Sequence, residues 1–216
     1  MQVLAVPVKS LERTKSRLAS ILSLPERAAL TLAMMEDVLE VCLAQPAWEV
    51  WVVSVDEAVL EVAARRGVRP IAEEGSSLNE AIRQVERETP GRPSSLAVVL
   101  ADLPFITGEA LAAALARDAS VVAAPAASDG GTNLLLRHPP AVIPPRFGPE
   151  SFAKHRWAAR RARIRFEEIA RSELAFDLDR PHDMARVLAA NRPGRTLTAC
   201  LEMGLPGRLR SRAERA

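Results

Sequence analysis

Tyrosine is absent from this 216-residue chain, and three Trp and five Phe are its only aromatic side chains besides histidine. Platforms that stack single-stranded nucleic acid need several exposed aromatics, so such a partner has little support. Cysteine is scarce too: Cys42 and Cys200 lie far apart and form no CxxC metal or redox motif. His138, His155 and His182 lack the spacing of a zinc site. Neither a P-loop pattern nor a GxGxxG fingerprint occurs, which removes P-loop kinases and dinucleotide dehydrogenases. A formal net charge of +2 is too small to recruit nucleic acid or anionic membrane through its field alone. No apolar run reaches membrane-spanning length, and no signal-peptide cleavage pattern follows the N-terminus. Lysine is nearly missing as well. Lys9, Lys15 and Lys154 are the only three, every other base being arginine.

What is present is globular composition. Hydrophobic residues at 48% and charged residues at 26% argue against a disordered or disulfide-stapled chain. With so few aromatics the core must come from Ala, Val and Leu. A cytoplasmic protein with no nucleic-acid or membrane partner is the expectation.

Short apolar runs alternate with helical patterns. Strands are expected at Met1–Val8, Val50–Val55, Val68–Ala72, Leu96–Ala101, Val121–Pro125, Arg165–Ile169 and Ala175–Leu178. Helices are expected to start near Ser23-Leu24-Pro25-Glu26 and at Glu57, Ser77, Thr107, Phe152 and His182. Pro90 to Ser95 is expected to be a turn-rich linker. This rhythm predicts an α/β fold with a mostly parallel sheet flanked by helices, over residues 1–190. The segment 191–216, with six arginines against two glutamates, is expected to be a partly disordered basic tail.

Open α/β sheets bind ligands beyond the carboxyl ends of their strands. Lys9, Arg13, Lys15 and Arg17 place four cations in nine residues after the first strand, suited to neutralising a polyphosphate. A solvated basic loop would have the same composition. Asp102 ends an unbroken apolar run, where a carboxylate needs a base or a metal beside it. Hard oxygen ligands suit Mg²⁺, and Asp177 and Asp179, two apart on an expected strand, would face one ion. Gly130-Gly131-Thr132 can offer N–H groups and a hydroxyl to an anion, and Gly148 and Ser151 the same chemistry at a helix start. No nucleophile elbow surrounds Ser151, so a hydrolase pair with His155 gives way to helix capping.

Together, Pro7-Val8-Lys9, Lys15-Ser16-Arg17-Leu18-Ala19, Met35-Glu36-Asp37-Val38, Ser77-Leu78-Asn79-Glu80-Ala81, Ala101-Asp102-Leu103-Pro104, Asp129-Gly130-Gly131-Thr132-Asn133, Phe147-Gly148-Pro149-Glu150-Ser151-Phe152 and Asp177-Leu178-Asp179-Arg180-Pro181 carry a resemblance. The pattern resembles the 2-phospho-L-lactate and phosphoenolpyruvate guanylyltransferases of coenzyme F420 biosynthesis, within the molybdenum-cofactor-type nucleotidyltransferases. It extends to about Ala190. The resemblance implies a Rossmann-like nucleotidyltransferase fold, GTP as donor, Mg²⁺ as cofactor and a small phosphorylated acid as acceptor. By motif it implies Lys9, Arg13, Lys15 and Arg17 on the donor phosphates and Asn79 on the guanosine. It likewise implies Lys9, Lys15 and Asp102 as the catalytic set, Asp102, Asp177 and Asp179 as the metal ligands, and Thr132, Gly148 and Ser151 as the acceptor-binding set. Ser77 and Arg180 depart from the family's usual residues. Acceptors such as 3-phosphoglycerate, a molybdopterin or a sugar phosphate stay open, as do a homodimer and a downstream transferase partner. A non-enzymatic reading would use the arginine tail to bind nucleotide or nucleic acid.

Overall fold

A computed structural model describes residues 1–89 and 94–213, the last three of these by backbone alone. Most of the expected linker at Pro90–Ser95 therefore lies outside the described residues. The strands are β1 (Gln2–Pro7), β2 (Glu49–Ser54), β3 (Arg69–Ala72), β4 (Ser95–Val99), β5 (Val121–Pro125), β6 (Thr132–Arg137) and β7 (Phe166–Glu168). They form one sheet in the order β3-β2-β1-β4-β6-β5-β7. Only β6 runs antiparallel, wedged between β4 and β5. It is the apolar stretch after the Gly130-Gly131 turn, and a hairpin is the short way to place it there.

Each central strand is apolar on both faces because helices cover both. Leu4, Val6, Val50, Val52, Ala97, Val99, Val122 and Ala124 pack into one core layer. Their alternating neighbours Val3, Ala5, Trp51, Val53, Leu96, Val98, Val121 and Ala123 pack into the other. The first layer is covered by α1 (Leu24–Leu43), α2 (Glu57–Arg65), α4 (Gly108–Leu115) and the short α6 (Ser172–Ala175), the second by α3 (Leu78–Glu88) and α5 (Ser151–Arg161). Three caps follow the sequence signals: Glu26 accepts from Ser23 N at 2.8 Å, Ser77 Oγ from Glu80 N at 3.3 Å, and Thr107 Oγ1 from Ala110 N at 3.2 Å.

Two expectations are corrected. No strand forms at Ala175–Leu178. Residues 172–175 make α6, and 176–179 run on without a ladder, joined to the sheet region by Leu178 N donating to Asp102 O at 3.0 Å. Leu174, Phe176 and Leu178 are buried in alternation, Leu174 against the sheet and α4, and Phe176 and Leu178 among helical residues. The basic tail is also ordered over most of its length. After α7 (Pro181–Ala190) come α8 (Arg195–Glu202) and α9 (Leu205–Ala213). Their Cys200 and Leu205 join Leu18, Leu30, Met34 and Met184 in a third core. Asp37 on α1 caps α8 from across the fold, accepting from Arg195 N and Thr196 N at 2.8 Å and from Thr196 Oγ1 at 2.6 Å. A Cβ at residue 194 would lie 3.0 Å from that carboxylate, so Gly194 permits the approach. Arg208 of α9 pairs with Glu26 at 2.6 Å.

Candidate active site

The carboxyl ends of the parallel strands share one edge, and the segments after β1, β4 and β5 all emerge there. The segment after β1 is fixed along its length. Leu11 N donates to Asp56 Oδ2 at 2.9 Å, and Thr14 Oγ1 meets Thr31 Oγ1 of α1 at 2.8 Å. Arg27 Nε donates to Thr14 O at 3.2 Å, and Leu18 is fully buried in the third core. Burial of that leucine alone contributes about 2 kcal/mol. Between these anchors Lys15 takes a left-handed conformation with φ of 47°. Such a backbone is disfavoured for a lysine, and it occurs here where the chain turns inward.

Lys15 Nζ donates to Asp102 Oδ2 at 2.6 Å and lies 3.7 Å from Asp179 Oδ1. Arg17 pairs with the other oxygen of Asp179. The buried Asp102 Oδ1 has no hydrogen-bond partner. Asp177 accepts from Ser128 Oγ at 3.2 Å. Its pKa is raised, first by burial and then by the negative charge of Asp102, against the opposing pull of Lys15. Lys9 and Arg13 are exposed and make no ion pair among the described residues.

Asp177 thus feels the negative charge of Asp102, while Asp179 is held by two cations. The expectation that Asp177 and Asp179 share a strand face fails because no strand is there. Among the described residues no group of three His, Cys, Asp or Glu side chains converges closely enough to hold a metal. A divalent cation nonetheless suits the pair formed by Asp102 and Asp177. One offers an unpartnered buried oxygen, and the other carries a charge that burial and its neighbour disfavour.

The second cluster lies where the β5–β6 turn meets the start of α5. Gly131 N donates to Asp129 Oδ1 at 2.8 Å, and Phe152 N donates to Gly130 O at 3.1 Å. Gly130 has φ of 70°, and a Cβ there would sit 2.8 Å from the Glu150 carboxylate. Thr132 and Ser151 are buried, with Ser151 Oγ donating to Thr132 Oγ1 at 3.0 Å. The expected capping role of Ser151 is corrected: Glu150, in left-handed conformation, precedes the helix, and Ser151 is its first residue. Gly148, at φ of 123°, belongs to the loop before it.

Asn79 sits in the first turn of α3 and grips that loop. Its Nδ2 donates to Phe147 O at 3.1 Å and its Oδ1 accepts from Phe147 N at 2.8 Å. Together with Arg83, Pro144–Phe147 and Lys154 it lines a cavity of about 380 Å³ with three cations and no carboxylate. A larger groove of about 1100 Å³ between α1, residues 104–107 and 192–202 contains none of the expected site residues. The chemistry is grouped at the strand edge instead.

Residues 1–195 match the family described as guanylyl transferase, CofC like. The chain belongs to this family. It is 40% identical over 196 residues to a phosphoenolpyruvate guanylyltransferase of Sphaerobacter thermophilus, an alignment covering 88% of this chain and 94% of that one. It is 37% identical to a 3-phospho-D-glycerate guanylyltransferase of Phenylobacterium zucineum, covering 80% and 83%. Against a 2-phospho-L-lactate guanylyltransferase of Haloarcula marismortui the identity is 35%, covering 86% and 84%. A solved chain from Desulfovibrio desulfuricans G20, described as a nucleotide-diphospho-sugar transferase, shares the fold with a TM-score of 0.81 at 19% identity and 97% coverage of both. Membership makes the chain a nucleotidyltransferase, and the mostly parallel sheet is the fold of that class.

Three positioning residues escaped the sequence. Asp183 accepts from Asp179 N at 3.0 Å and Arg180 N at 2.7 Å, orienting the Asp177–Asp179 segment. Its place three residues after Arg180 is a capping-box signal. Asp56, in Ser-Val-Asp after β2, had an N-cap signal. Ser128 had none.

Proposed function

We propose that this guanylyltransferase moves GMP from GTP onto the phosphate of a small phosphorylated acid, phosphoenolpyruvate or 2-phospho-L-lactate, in coenzyme F420 biosynthesis. The observation that carries the reading is the cluster of Lys15, Arg17, Asp102, Asp177 and Asp179 at the strand edge, beside the buried hydroxyls of Thr132 and Ser151. An acceptor phosphate oxygen forms a bond to the α-phosphorus of GTP. The bond from that phosphorus to the bridging oxygen breaks, and pyrophosphate leaves with the electron pair. The acceptor phosphate is ionised at neutral pH, so no general base is required, consistent with a site whose one buried histidine is already hydrogen-bonded.

Transfer of this kind asks mainly for positioning and charge neutralisation. Lys9, Arg13, Lys15 and Arg17 serve the donor phosphates, Lys15 exchanging a carboxylate oxygen for a phosphate oxygen. Asp102 and Asp177 would hold Mg²⁺, with Asp179 nearby. When bound, the ion offsets repulsion between the two anions. Asn79 keeps the 144–148 loop against α3 on the guanosine side. Thr132 and Ser151 hydroxyls and the Gly148 backbone hold the acid. GTP and such acids are metabolites of the cytoplasm, where we place the reaction, with a downstream transferase to consume the product.

Incubation with GTP, Mg²⁺ and each acid in turn, followed by mass analysis, should reveal a diphosphate-bridged guanosine product with one of them. Silence with phosphoenolpyruvate, 2-phospho-L-lactate and 3-phosphoglycerate alike would end this reading. Product with 3-phosphoglycerate alone would keep the transfer and change the acceptor, as the Phenylobacterium relative's name suggests.

A further inference from the structure

His155 is fully buried on α5 and belongs to none of the groups assigned above. Its hydrogen bonds determine its protonation. Arg146 N donates to His155 Nε2 at 2.9 Å. A backbone N–H can only donate, so Nε2 must be the bare, accepting nitrogen. In the neutral ring the proton is then on Nδ1, 3.1 Å from Thr132 Oγ1, and Thr132 accepts it. Burial first, and then the positive charges of Arg137, Arg146 and Lys154, lower the pKa to about 4, so the ring is neutral at physiological pH.

Thr132 Oγ1 therefore accepts twice, from His155 Nδ1 and from Ser151 Oγ. A hydroxyl oxygen has two lone pairs, and both are taken. Its own hydrogen has no acceptor among the described residues, although the residue is only 2% exposed. A buried donor left without a partner costs on the order of 1–3 kcal/mol unless something meets it. The hydroxyl is forced to donate at the place where the acceptor acid was assigned.

We infer that His155 is a positioning residue for the acceptor acid: its Nδ1–H tautomer, imposed by Arg146 N–H, turns the Thr132 hydroxyl into an obligate donor to an anionic substrate oxygen. The inference rests on the functional reading for the identity of that substrate. It goes beyond that reading in assigning a histidine, a tautomer and a donor direction. A carboxylate or phosphate oxygen is the ligand chemistry that such a donor selects.

Two substitutions separate the halves of the relay. In His155→Asn the amide can occupy the place of Nδ1 and still donate to Thr132, but it cannot reach Arg146 N. In His155→Gln the amide can occupy the place of Nε2 and accept from Arg146 N, while the donor to Thr132 is lost. Loss of one such directed hydrogen bond raises KM for the acid about tenfold. We expect that rise in His155→Gln, with KM for GTP unchanged, and an acid KM close to the parent value in His155→Asn. Equal KM effects on acid and GTP that follow the loss of melting temperature in both variants would make His155 merely structural and overturn the inference. Nitrogen-15 NMR of the unsubstituted protein tests the tautomer without any variant. A protonated Nδ1 and bare Nε2 are expected, and the reverse pattern would refute the relay. An inert parent enzyme would sink the functional reading and the acceptor role with it, whereas an active parent with an unaffected His155→Gln would sink this inference alone.

Discussion

The two clusters at the strand edge solve opposite problems. On the side we propose for the donor, charge is abundant and turned on itself: Lys15 on Asp102 and Asp179, Arg17 on Asp179, and Asp177 against Asp102. On the acceptor side Thr132, Ser151 and His155 form a buried, neutral hydrogen-bond network whose direction is already set. On the proposed function, the difference teaches how one edge would handle two anions. A polyphosphate can be met by cations parked on carboxylates, because exchanging one anionic oxygen for another keeps every charge paired. A small acid is met instead by fixed dipoles that need no exchange, and these work best where water is excluded.

The largest effect that would sharpen this contrast is expected at Asp102. Asp102→Ala removes the unpartnered oxygen and the main partner of Lys15, and kcat should fall on the order of a thousandfold with the fold intact. A steady-state assay beside a circular dichroism melt checks both halves. Next comes Lys15→Met, for which kcat/KM for GTP should drop about a hundredfold while KM for the acid stays the same. Equal loss for both substrates would erase the division between the two clusters.

The stability of the two sides should also respond to pH in opposite directions. His155 has its folded pKa lowered from 6.5 to about 4, so the unfolded chain takes up the proton first. Its stabilisation is present above pH 6.5 and is lost as pH falls toward 4, by about 3–4 kcal/mol at most, given about 1.4 kcal/mol per pKa unit. Urea melts across that interval should show the slope, and His155→Gln should lack it. Asp177 has its folded pKa raised, so its ionisation opposes folding above that pKa and the penalty disappears at low pH. Asp177→Asn should therefore give a small rise in melting temperature at neutral pH together with a loss of turnover. A lower melting temperature would mean that the carboxylate is already compensated.

Legibility in the sequence follows the same division. Most buried strands were readable because coverage on both faces makes runs such as Leu96-Ala97-Val98-Val99 apolar without interruption, but β6, buried throughout, was not among the expected strands. The donor side was readable in part, because its cations follow β1 and Asp102 follows β4, whereas Asp177 and Asp179 follow no strand. Ala175–Leu178 was misleading, since alternate burial of Leu174, Phe176 and Leu178 imitates a strand although the segment joins no ladder and its side chains are shared between two cores. The tail was misleading because arginine, glycine and proline mask the apolar face of α8, and its cap, Asp37, is 158 residues from Arg195. His155 was silent because its role depends on Thr132, 23 residues away, and on one backbone N–H. Long-range pairings of this kind leave no local pattern.

The central claim, that this edge transfers a guanylyl group to an acid, is tested most directly by following labelled GTP. With the label on the α-phosphorus it should appear in the acid product, and with the label on the γ-phosphorus it should appear only in pyrophosphate. A γ-label found on the acid would mean phosphoryl transfer and would contradict the account.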